Sequence, residues 1–118
     1  MSNSLFAITI DCADAAALAR FWAGVLGRQV TEDSTSGHAM LLAGDGDTNG
    51  PRIVLNKVPE AKVVKNRLHL DLISDTFDAE AGRLLSLGAR RLRDVQEGTS
   101  RWTTFADIEG NEFDLIAG

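Results

Sequence analysis

Disulfide bonds within this chain are excluded, because its 118 residues include a single cysteine, Cys12. A lone cysteine is typical of proteins in a reducing compartment, and we expect the protein to be cytoplasmic. No basic residue lies near Cys12 in the sequence to favour a reactive thiolate. We therefore interpret Cys12 as a small buried hydrophobe rather than a nucleophile.

Long apolar runs and clusters of basic residues are also missing. No run approaches the roughly 20 residues of a membrane-spanning helix, and the first residues do not form a charged-then-apolar signal segment. The net charge is −5, and no group of lysines and arginines is long enough to follow a phosphate backbone. We therefore expect neither a membrane nor a nucleic acid as a partner.

The residues that are present fit one globular domain, with 44% hydrophobic and 25% charged side chains. Residues 67–72 alternate strictly, with leucine at positions 68, 70 and 72 and with His69 and Asp71 between them. A period of two predicts a strand that packs its leucines inward. Its other face then presents an imidazole and a carboxylate, which are groups that can do chemistry.

The first half of the chain has the pattern of a strand, a helix and three strands. We predict these elements over residues 4–12, 14–26, 28–33, 38–43 and 52–57. Asp14 is suited to cap the helix and Gly27 to end it. Trp22 falls on the apolar stripe of this helix, which indicates a core residue, and His38 beside a turn is expected to be solvated.

Residues 44–51 match the first half of a calcium-binding loop, through Asp45, Asp47, Asn49 and Gly50. Asn56 stands where such a loop needs a bidentate glutamate, and the flanking segments have strand rather than helix patterns. We therefore predict a hairpin loop that does not bind calcium.

The second half repeats the first after a linker at 58–66. We predict a strand, a helix and three strands over residues 69–75, 76–87, 89–95, 101–107 and 112–117. The duplication indicates a single α+β domain, 1–118, of two βαβββ modules. The modules span about 4–57 and about 67–118.

Several short motifs resemble the vicinal oxygen chelate superfamily, the glyoxalase/bleomycin-resistance/dioxygenase group, and its small glyoxalase-like proteins in particular. They lie at residues 11–14, 18–22, 25–27, 58–60, 67–71 and 106–113. The last resembles the signature Asp-Pro-x-Gly-Asn, with Ile108 in the proline position. The resemblance implies mixed sheets that curl around a cleft, with one helix behind each sheet, and a homodimer.

The resemblance also implies four metal-ligand positions, which here are Ala7, Asn56, His69 and Asp114. His69 is a good ligand and Asp114 a weaker one, Asn56 is a neutral donor, and Ala7 cannot bind a metal. Catalytic sites for Zn, Fe or Ni usually have at least three histidine or carboxylate ligands. We therefore expect either no cofactor or a divalent metal (Zn, Ni, Mn or Fe) at a degenerate site.

Alternation places Glu112 and Asp114 on one face of the last predicted strand. If the apolar faces pack on the helices, these carboxylates converge with His69 and Asp71 in an acidic cleft. Trp102 is a candidate wall of that cleft. The alternative is a solvated sheet face with a hydrogen-bonded histidine.

Three functions follow from these expectations. The first is a binding protein that holds a small molecule in the acidic cleft through Asp71, Glu112, Trp102 and Asn56. The second is a lyase, isomerase or dioxygenase that uses a degenerate metal site, or His69 as a general base oriented by Asp71 or Asp114. The third is a structural or regulatory domain that has lost its site.

Overall fold

The computed structural model describes residues 2–43 and 50–118. The helices are α1 (Ala15–Leu26) and α2 (Phe77–Ser86). The strands are β1 (Ala7–Cys12), β2 (His38–Leu41), β3 (Arg52–Lys57), β4 (Asp71–Ser74), β5 (Arg90–Glu97), β6 (Ser100–Ala106) and β7 (Glu112–Ala117). The chain forms two compact units, Met1–Ala61 and Lys62–Gly118, which divide inside the predicted linker. Most of the calcium-like segment lies outside the described residues.

The first unit is a three-stranded sheet covered by α1. The strand order is β1-β3-β2, with β1 parallel and β2 antiparallel to β3. The Asp14 carboxylate accepts a hydrogen bond from the Ala17 amide, and Gly27 ends the helix with a φ of 66°. Trp22 and Cys12 are buried, so both are core residues, as predicted.

The second unit is a four-stranded sheet covered by α2. The order is β4-β7-β6-β5, with β4 parallel to β7 and the other neighbours antiparallel. The apolar face of α2, with Phe77 and Leu84, packs on β7. Phe113 and Leu115 of β7 are almost completely buried, which fixes the side of the sheet that faces the helix.

Two sequence-based expectations about strands are wrong. Residues 28–33 form only an isolated bridge, between Val30 and Leu41. The Arg28 guanidinium donates instead to the Pro51 carbonyl, and the Thr31 and Ser34 hydroxyls bond to each other, so this segment turns locally.

The central alternating segment also begins its strand later than predicted. The strand β4 begins at Asp71, and Leu68 is 71% exposed rather than packed. The Asn66 side chain donates to the carbonyl oxygens of Leu68 and Glu112. These contacts hold the chain beside the start of β7, so His69 lies just before the strand.

The predicted fold class is confirmed. The chain is an α+β protein of two βαβββ modules. In the first module residues 28–33 contribute only the Val30–Leu41 bridge, so the described residues form mixed sheets of three and four strands. None of the helices in the described ranges is long and apolar enough to cross a membrane.

Candidate functional site

The face of the second sheet that points away from α2 carries the polar side chains. Phe113 and Leu115 point to the helix side, so Glu112 and Asp114 point to the opposite side. In the register of the sheet, Asp114 lies between Asp71 of β4 and Thr104 of β6. We call this surface the polar face, defined by Asp71, Thr104, Glu112 and Asp114.

His69, Asp71 and Asp114 come together at the polar face. Nδ1 of His69 lies 2.8 Å from Oδ1 of Asp71 and 3.8 Å from Oδ2 of Asp114. One ligand atom from each of the three residues lies within 4.8 Å of the others. The His69 and Asp71 side chains are 44% and 50% exposed, and Asp114 is 19% exposed. The group is thus open to solvent on the histidine side.

Thr104 holds the more buried carboxylate of this group. Its hydroxyl donates a hydrogen bond of 2.6 Å to Oδ1 of Asp114, and Thr104 itself is only 3% exposed. The other oxygen, Oδ2, is the one nearest His69. Thr104 does not stand out in the sequence, because only the register of β6 on β7 shows that it faces Asp114.

The three side chains fit a divalent metal ion. An imidazole nitrogen and two carboxylates provide the three protein ligands that open metal sites usually have. Without a metal, His69 and Asp71 satisfy each other through a hydrogen bond. A cation can take the place of that proton, because metal binding and proton release are linked at such ligands. Asp71 was expected to bind a ligand or orient His69, and the geometry makes it a candidate third metal ligand.

Glu112 lies on the same face but has other partners. Its carboxylate lies 3.4 Å from the Lys62 ammonium and accepts a hydrogen bond from the Asn66 amide. Burial disfavours the ionised form, but hydrogen bonds from its own backbone and from Asn66, together with Lys62, lower the pKa of Glu112. Glu112 therefore ties the start of the second unit to β7.

The remaining predicted site residues are placed as follows. Trp102 is half-buried on β6 and pairs with Ile116, on the same face as Thr104. Asn56 is exposed on β3 of the first unit, opposite Asp11 of β1 and His38 of β2. His38 is exposed, as expected.

The signature segment near the C-terminus builds a turn rather than a ligand set. Asp107 is 4% exposed, and its Oδ1 accepts hydrogen bonds from the backbone amides of Glu109 and Asn111. Gly110 adopts a φ of 88°, which suits glycine. The turn joins β6 to β7 and so sets the register that places Thr104 opposite Asp114.

Comparison with known proteins gives the family. The sequence model of the glyoxalase-like domain matches residues 7–116. No curated protein matches the chain significantly.

Solved structures with the same fold include three informative ones, all below 25% identity. A glyoxalase/bleomycin resistance protein/dioxygenase family enzyme from Burkholderia phytofirmans is 20% identical, with a TM-score of 0.73 over 93% of this chain and 94% of that one. The fosfomycin resistance protein FosX from Listeria monocytogenes, as an E126Q mutant with Mn(II) and 1S,2S-dihydroxypropylphosphonic acid, is 19% identical, with a TM-score of 0.78 over 100% and 92%. FosX from Mesorhizobium loti is 20% identical, with a TM-score of 0.73 over 100% and 93%.

The family model covers nearly the whole chain, and these structures share both modules of the fold. The resemblance drawn from the sequence motifs is therefore confirmed. The chain belongs to the glyoxalase-like domain family of the vicinal oxygen chelate superfamily.

Proposed function

We propose that the protein binds a small molecule through a divalent metal ion held by His69, Asp71 and Asp114. The observation that carries this proposal is the convergence of one imidazole and two carboxylates within 4.8 Å on the polar face. All three ligands belong to the second unit. The proposal therefore does not depend on the ligand position that Ala7 fills with a methyl group.

The residues around these three side chains favour a metal-binding site over the alternative of a solvated sheet face. Thr104 is buried and fixes one oxygen of Asp114, as residues behind metal ligands typically do. His69 and Asp71 are exposed enough for a ligand to approach. Bound there, a divalent cation supplies Lewis-acid polarisation of the oxygens of the small molecule.

A calorimetric titration with Mn(II) tests the proposal. The wild type is expected to bind one equivalent, and Asp71→Asn and Asp114→Asn are each expected to weaken binding roughly tenfold or more. Asp33→Asn is the matched control, because it removes the same charge from an exposed position in the first unit. Binding that is equal in all four proteins would overturn the proposal.

An enzyme of the same superfamily (a lyase, isomerase or dioxygenase) is the second candidate. The hydrogen bond between His69 and Asp71 favours this enzymatic function. An ionised carboxylate only accepts hydrogen bonds, so this contact suits the neutral tautomer with the proton on Nδ1, in which Nε2 has a lone pair that can take a proton from a substrate. Mass spectrometry after incubation with candidate small molecules separates the two functions. A binding protein returns its ligand unchanged, whereas an enzyme converts it and loses conversion in His69→Ala.

We also propose that the protein is a cytoplasmic homodimer. β1 and β4 are the end strands of their sheets in the described part of the chain. Large apolar side chains lie exposed at or near them, including Phe6 at 67% and Ile73 at 72%. Exposed strand edges with apolar neighbours are usually covered by a partner chain.

A further inference from the structure

Strand β5 carries three arginines, and a bulge sorts two of them onto opposite faces of the sheet. Arg91 pairs with Phe105 and Arg93 pairs with Thr104, so two steps along β5 match one step along β6. In a regular strand, Arg91 and Arg93 would share a face. The irregularity between them turns Arg91 to the helix side and Arg93 to the side of Thr104.

The two arginines differ in their partners. Arg91 forms an ion pair of 2.8 Å with Asp94, which also accepts a hydrogen bond from the buried Thr103 hydroxyl. This network joins β5 to β6 on the helix side. Arg93 is exposed, and within the part of the chain that the structure describes its guanidinium has no ion pair.

Arg93 lies at one end of a row of paired residues that crosses the polar face. The register of the sheet places Arg93, Thr104, Asp114 and Asp71 side by side on four adjacent strands. Arg93 is two strands away from Asp114, which is about 10 Å between backbones. An arginine side chain spans more than half of that distance. A small molecule that contacts a cation at Asp114 thus lies within reach of the guanidinium.

The next row of the same face is apolar. It consists of Val95, Trp102, Ile116 and Ile73, again paired across the four strands. Trp102 and Ile116 are half-buried, so their outer surfaces are available for contact. The face therefore offers a positive charge at the end of the row that contains Asp114, and an apolar strip in the next row.

We propose that the ligand of the polar face is a small organic oxyanion, with its carboxylate or phosphonate group on Arg93 and its apolar part on the row of Trp102. This inference rests on the proposed function for the placement of the ligand near Asp114. A guanidinium binds either type of oxyanion through paired hydrogen bonds. The charge of Arg93, which has no ion pair within the described part of the chain, selects against neutral and cationic molecules.

Binding of three probes that share a phenyl ring tests the inference: benzylphosphonate, phenylacetate and the uncharged phenylacetamide. Each is titrated into the protein with and without Mn(II). Both anions are expected to bind at least roughly tenfold more tightly than the amide, and the tighter anion identifies the preferred group. In the titrations without Mn(II), Arg93→Gln is expected to remove this preference, and Arg93→Lys to retain part of it.

Arg91→Gln is the matched control, because it removes the same charge two residues away but on the helix side. An equal loss in Arg91→Gln and Arg93→Gln, or equal binding of the amide and the anions by the wild type, would overturn the inference. The test of anion binding by Arg93 can fail or succeed independently of the test of the proposed metal site. A wild type that fails to bind Mn(II) refutes the metal site, while the comparison of arginine variants without metal still decides whether Arg93 binds the anion.

Discussion

At the scale of single residues, Thr104 positions the candidate metal ligand Asp114 without contacting a bound molecule. We expect Thr104→Val, which keeps the shape of the side chain, to weaken Mn(II) binding by roughly tenfold because Oδ1 of Asp114 loses its hydrogen bond. Calorimetric titration measures the change.

The neighbouring threonine provides the control for this substitution. Thr103 is equally buried, but its hydroxyl donates to Asp94 on the helix side of the sheet. Thr103→Val is therefore expected to lower stability without changing the affinity for Mn(II). Equal affinities in the two variants would show that Thr104 does not position the ligand.

Glu112 makes the free energy of unfolding depend on pH. Its pKa is lowered in the folded state from the ordinary value of 4.5, so the stabilisation is complete above that value and is lost as the pH falls through the folded pKa. At pH 7 we expect Glu112→Gln to lower the free energy of unfolding by about 1–2 kcal/mol. Urea unfolding should show this difference shrinking below about pH 4.

Glu97→Gln at the exposed end of β5 removes the same charge without those partners. It is expected to change stability little at either pH. If the free energies of unfolding of wild type and Glu112→Gln differ by the same amount from pH 7 to pH 3, the stabilisation does not come from the ionised Glu112 carboxylate.

At the scale of elements, the turn between β6 and β7 sets the geometry of the site. Asp107→Ala removes the acceptor for the amides of Glu109 and Asn111, which leaves part-buried donors unpaired. We expect a loss of about 1–3 kcal/mol in the free energy of unfolding, together with weaker Mn(II) binding. Unchanged stability would mean that water replaces the carboxylate at no cost.

Helix boundaries and the faces of β7 could be predicted from the sequence, because local rules determine them. Asp14 and Gly27 act at the ends of α1, and alternation correctly separated Phe113 from Asp114. The predicted strand at 28–33 failed because the segment turns locally through Thr31 and Ser34, so that only Val30 pairs with β2.

The candidate site was predictable only in part. His69, Asp71 and Asp114 stand out by residue type and alternation. Thr104 and Arg93 do not, because their positions depend on the pairing of β6 with its neighbours and on a bulge that sequence periodicity does not reveal.

At the scale of the whole molecule, the proposed dimer can be tested directly. Light scattering at micromolar concentration is expected to give about twice the mass of the 12.7 kDa chain. Phe6→Lys places a charge on an exposed residue next to the end strand β1, and we expect it to shift the protein toward monomers. A monomeric wild type would contradict the proposal.

Metal binding by the group around His69 is the central claim, and His69→Ala tests it most directly. His69 is 44% exposed and its hydrogen-bond partner Asp71 is 50% exposed, so the substitution should change the free energy of unfolding by less than about 1 kcal/mol. The claim predicts that wild type binds one Mn(II) per chain in a calorimetric titration, and that folded His69→Ala binds at least roughly tenfold more weakly. A folded variant that binds Mn(II) as tightly as the wild type would contradict it.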